Sequence, residues 1–74
     1  MYTLEKETQV TLTIYDVAGR LVRQLIANKS QKAGEYRIRW DGSSNNGKLM
    51  ASGVYFCRLK TDDNISGIKI VLLR

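Results

Sequence analysis

This 74-residue chain carries seven carboxylates and a single thiol, and it contains no histidine. Without an imidazole the usual general base is missing, together with most catalytic triads and many zinc sites. Cys57 has no histidine to activate it as a nucleophile. It alternates with Tyr55 and Leu59 in a strand-like run, where a free cysteine is expected to serve as a small buried hydrophobe. The carboxylates are Glu5, Glu7, Asp16, Glu35, Asp41, Asp62 and Asp63. A glycosidase needs two of them facing each other across a cleft, and most of these fall in turn-like segments of a chain with little room for one. Asp41, Ser43 and Asn45 open with the spacing of a calcium loop. The glycine comes one place late, at Gly47, and Ser52 stands where the loop's closing glutamate would be. A turn closed by Asx hydrogen bonds is the expected role, and Asp62-Asp63-Asn64 reads likewise as a hairpin tip. The expectation is a non-enzymatic chain with no catalytic residues, no metal and no cofactor.

Twelve lysines and arginines against seven acids give a formal net charge of +5. The basic residues are spread from Lys6 to Arg74 without a consecutive run, so no phosphate track is marked and nucleic acid is not an expected partner. Apolar residues at 43% and charged residues at 26% are a globular composition. No apolar run approaches the ~18 residues of a membrane span. The N-terminus lacks the basic-then-apolar pattern of a signal peptide, and Met1 stands directly before a strand-like segment, so the chain reads as one domain, 1–74, excised from a larger protein. One cysteine leaves no internal disulfide to reinforce a fold this small, which buries roughly 60% of its unfolded surface.

The elements read as β throughout. Gln9 to Tyr15 alternates strictly, with Val10, Leu12 and Ile14 on one face and Thr11, Thr13 and Tyr15 on the other. Asp16-Val-Ala-Gly19 is a turn. The apolar spacing of Arg20 to Ala27 also fits two helical turns, but its length and flanking turns favour a strand. Asn28 to Lys32 is polar and reads as a loop. Ala33-Gly34 opens a strand with Tyr36, Ile38 and Trp40 on one face, Trp40 being expected to anchor the core. Asp41 to Gly47 is the strongest breaker run, and Asn46-Gly47 is a type I′ turn signal; Lys48 to Ala51 has the makings of a short edge strand. Gly53 opens Val54 to Lys60, with Tyr55, Cys57 and Leu59 on one face. After a turn at Thr61 to Asn64, the last strand runs from about Ile65 to Leu73 and is apolar on both faces toward its end. That pattern fits an accessible terminal edge able to pair with a partner's sheet, and equally a central strand buried on both faces. Short strands separated by turns indicate an antiparallel sandwich or small barrel.

The order of these pieces resembles a known family. Val10 to Leu25 (V-T-L-T-I-Y-D-V-A-G-R-L-V-R-Q-L) is followed by Ala33-Gly-Glu-Tyr36, Trp40-Asp-Gly42, Ala51-Ser-Gly-Val-Tyr-Phe56 and Lys69-Ile-Val-Leu-Leu-Arg74. This looks like the C-terminal sorting domain of type IX secretion cargo, and is similar to the related Ig-like domain of the flagellar hook-capping protein. The resemblance implies an Ig-like sandwich of about seven strands, carried behind an upstream passenger domain. It also implies secretion through the periplasm to the medium or cell surface, with a translocon and a sortase-like processing enzyme as partners. Its motif residues are Gly34, Tyr36, Trp40, Asp41, Gly42, Gly53, Tyr55 and Leu59, and their expected work is structural: glycines for special backbone, tyrosines that bury a ring and bond their hydroxyls to turn backbone. The recognition candidate is the terminal stretch Lys69, Ile70, Val71, Leu72, Leu73 and Arg74. The chain departs from the family at Cys57, where an aromatic is usual, and at Lys32-Ala33, where many members carry proline. Competing readings are an Ig-like spacer or building block, and a carbohydrate-binding accessory domain using Tyr15 and Phe56.

Overall fold

The computed structural model describes residues 2–73 and is built of strands: β1 (Tyr2–Leu4), β2 (Thr8–Asp16), β3 (Leu21–Gln31), β4 (Gly34–Tyr36), β5 (Gly53–Lys60) and β6 (Ile65–Leu72). Four form an antiparallel sheet in the order β3-β2-β5-β6, and β1 pairs with β4 in a second, two-stranded sheet. The alternating β2 places Val10, Leu12 and Ile14 inward, at 0–2% exposure. Across the ladder Ile14 pairs with Cys57 and Leu12 with Leu59, so β5 turns Tyr55 and Cys57 into the same core, with Val22 from β3. Ile38, Trp40 and Met50 close over it from the other side. The result is an antiparallel sandwich of the Ig-like kind, whose second layer is β1-β4 completed by the irregular stretch 37–52.

Six strands are formed among the described residues, where about seven were expected. The strand opening at Gly34 ends at Tyr36, because its short partner β1 offers only three ladder positions. Ile38 and Trp40 lie beyond the ladder yet still pack on the core, so the alternation of side chains outlasts the hydrogen bonding. Lys48 to Ala51 forms no strand; a single bridge joins Ser43 to Leu49.

The polar stretch 28–32, expected as a loop, instead continues β3 as far as Gln31. The register slips between Val10↔Lys29 and Leu12↔Ile26, so Ala27 and Asn28 oppose Thr11 alone. Asn28 takes φ 47° there, and its N–H donates to Thr11 Oγ1 at 3.1 Å. This is a β-bulge, and the shifts along β3 are why its apolar spacing mimicked a helix.

Two hairpins close alike. In each, a four-residue turn ends on a left-handed glycine: Gly19 (φ 81°) donates to the Asp16 carbonyl, and Gly47 (φ 83°) to that of Ser44, both at 3.0 Å. These are type I turns with a glycine bulge. The type I′ expectation at Asn46-Gly47 fails because Asn46 does not have positive φ.

Candidate functional site

The Gly-x-Tyr pairs form two matching corners. Tyr36 Oη donates to the Lys32 carbonyl at 2.6 Å, and Tyr55 Oη to the Ala51 carbonyl at 2.7 Å. Each tyrosine ties the loop four residues upstream to its strand, as at sandwich corners. Between them stand Gly34 (φ 149°) and Gly53. A Cβ at either would meet nothing within 4 Å, so close backbone approach is not what calls for glycine at these sites. Tyr36 also stacks on Tyr2 at 5.3 Å, and Trp40 meets Tyr55 edge-on at 5.1 Å while its Nε1–H donates to the Ser43 carbonyl at 2.8 Å. Trp40 is half-buried and packs at the margin of the cluster rather than as its centre.

Asp41 closes its own turn. Its Oδ1 accepts from the Ser43 N–H at 3.0 Å and from Ser43 Oγ at 2.5 Å, and these bonds hold its carboxyl below the ordinary carboxylate range. Asn45, third in the calcium-like spacing, points to β3 instead: its N–H donates to the Val22 carbonyl at 3.1 Å and its Oδ1 accepts from the Gln24 N–H at 2.9 Å. Arg23 Nη1 reaches back to Ser43 Oγ at 2.6 Å and the Ser44 carbonyl at 3.2 Å. The loop after Trp40 is thus zipped onto the outer edge of β3, and Asn45 stands in for part of a strand there. Sequence reading missed this role, since nothing in the loop's spacing names a partner some twenty residues back.

The opposite edge of the sheet is different. β6 pairs with β5 from Ile65↔Lys60 to Leu72↔Gly53, and among the described residues no strand or loop pairs with its other side. Ile70 and Leu72 turn inward and are half-buried; Ile65, Ile68, Val71 and Leu73 are exposed, from 57% to 84%. Among the described residues β6 is therefore an edge strand, and of the two readings left open by its periodicity the buried central strand is set aside. Lys69 sits opposite Phe56 on the outward face and is exposed; Arg74 lies outside the described residues.

The two strands at this edge carry charge of one sign. β5 and β6 carry Arg58, Lys60 and Lys69 and no carboxylate. At the connecting turn, Asp63 is held by Lys6 at 2.7 Å, and Asp62 Oδ2 accepts from the Gln9 N–H at 3.3 Å. Tyr15 and Phe56 are cross-strand partners on the outward face, and the Arg58 guanidinium lies 4.8 Å over the Tyr15 ring. Cys57 is buried beneath, and burial pushes its thiol pKa up, the opposite of what a reactive thiolate requires.

Sandwich, paired tyrosine corners and one open edge define the class: an Ig-like β module. The family model for the FlgD Ig-like domain matches residues 1–64, and the chain belongs to that family, one of non-catalytic modules. No curated protein and no solved structure matches the chain.

Proposed function

We propose that the chain is a non-catalytic structural and interaction module, which joins a neighbouring polypeptide through the exposed edge of β6. The observation that carries this is the contrast between the two sheet edges. The β3 edge is occupied by the chain's own Asn45, whereas β6 leaves its outer backbone and four large apolar side chains uncovered. Folded proteins normally blunt such an edge, because it templates pairing with another chain. The test is cross-linking of the parent protein in its native assembly. Links from a partner concentrated on Ile65 to Leu73 support the reading; links concentrated on β1, β4 or β3 overturn it.

A second reading is favoured by the same accessibility: β6 as an address read by a secretion translocon, with a sortase-like enzyme processing a cargo bound for the medium or cell surface. Its test is a reporter fusion in a type IX-competent host with Ile70 to Arg74 deleted. Unchanged export sinks it.

A further inference from the structure

The strand that β6 accepts has a chemistry of its own, an inference that rests on the edge-docking reading above. We propose that the occupant is an extended segment of another protein that alternates apolar and acidic side chains, added to β6 as a further strand of the β3-β2-β5-β6 sheet.

The apolar half of the pattern follows from the inner face. Ile68 faces the same side as its ladder partner Cys57 yet is 65% exposed, because the second layer, which packs near Ile70 and Leu72, does not cover this part of β6. An open cleft of about 160 Å³ lies there, lined by Tyr2, Leu12, Ile38, Leu59 and Ile68. A strand laid beside β6 would place every second side chain over Ile68 and this cleft, since strand side chains alternate between faces.

The acidic half follows from the outer face. Lys69 lies there between Gly67 and Val71, and Arg58, opposite Gly67, stands one strand further in. The neighbouring carboxylates of the turn are already engaged by Lys6 and the Gln9 N–H. An added strand brings side chains within cross-strand reach of Lys69, where opposite charges attract and like charges repel. That also disfavours a second copy: antiparallel self-pairing of β6 would bring two uncompensated lysines and two domains of charge +5 together. Gly67 lies close to the neighbouring strand, for a Cβ there would meet the Cys57 carbonyl oxygen at 3.2 Å.

The test uses the isotope-labelled chain and synthetic peptides eight residues long, the length of β6. Three peptides alternate valine with glutamate, glutamine or lysine, and a fourth is the glutamate peptide with backbone N-methylation along one edge. The glutamate peptide is expected to shift the amide signals of 65–73, to bind more weakly as salt rises, and to lose binding when its pairing edge is methylated. Lys69→Glu changes an exposed side chain, so the fold should persist, as its amide spectrum will report. It is expected to weaken the glutamate peptide about tenfold and strengthen the lysine peptide. Equal binding of all three unmethylated peptides at β6 overturns the acidic pattern while leaving edge docking intact. Shifts in 65–73 that grow with protein concentration alone make a second copy the occupant and overturn the proposal. No shift with any peptide overturns it too, and the cross-linking map then decides separately whether the edge is used at all.

Discussion

The hydroxyl of Tyr55 reaches the carbonyl of Ala51 at 2.7 Å, and this one bond ties the end of the irregular layer to the central strand β5. The ring on the same side chain is buried and meets Trp40 edge-on. One residue therefore joins loop, second layer and sheet. Tyr36 repeats the bond to Lys32 at the other corner, with its hydroxyl exposed to solvent.

Removing the two hydroxyls separates these contexts. Tyr55→Phe leaves the Ala51 carbonyl without its partner at a part-buried position and is expected to cost about 1–2 kcal/mol. Tyr36→Phe exposes the Lys32 carbonyl to water, which substitutes for the lost donor, and should cost about 0.5 kcal/mol. Urea unfolding of both variants measures the difference; equal losses would refute the corner argument.

Acid should loosen the β2–β3 hairpin. Asp16 accepts from the Ala18 and Arg20 N–H groups and from Arg20 Nε, at 2.9–3.0 Å, and the Arg20 backbone bond is the largest cause of its lowered pKa. Asp41 is lowered chiefly by Ser43. A carboxylate with a depressed folded pKa contributes stability above its unfolded value, and that contribution is lost as pH falls through the folded one. Stability is therefore expected to be flat on this account at neutral pH and to decline below about pH 4. Asp16→Asn should flatten part of that decline, read from thermal melts across the acid range.

Asn45→Ala should open the sealed edge of β3. The Gln24 N–H loses its side-chain acceptor, with an expected cost of about 1 kcal/mol. Hydrogen exchange should quicken at Gln24 while amides in the middle of β5 keep their protection. Protection unchanged at Gln24 would show that the loop does not guard this edge.

Core and edge positions of the same residue type should respond very differently. Ile14, at 0% exposure, is expected to cost about 2–5 kcal/mol as alanine. Ile68, at 65%, should stay within about 0.5 kcal/mol. A large loss at Ile68 would mean that β6 is buried in solution, and the docking reading would fall with it.

What could be read in advance was local. Strict alternation in Gln9 to Tyr15 and Val54 to Lys60 identifies both central strands and their buried faces, because side chains in a strand alternate whatever lies beside them. The tyrosine corners span four residues, so Gly-x-Tyr carries them within one stretch of chain. What the tertiary structure alone decided was every matter of neighbours. β4 stops at Tyr36 because β1 is short, β3 passes through its polar end because a bulge absorbs the slip, and Asn45 seals an edge more than twenty residues away in the chain. The terminal strand shows the difference most clearly: apolar residues on both faces are the same sequence whether a strand is buried centrally or left at an edge. Only the sheet order β3-β2-β5-β6, with a second layer too narrow to cover Ile68, leaves those side chains exposed.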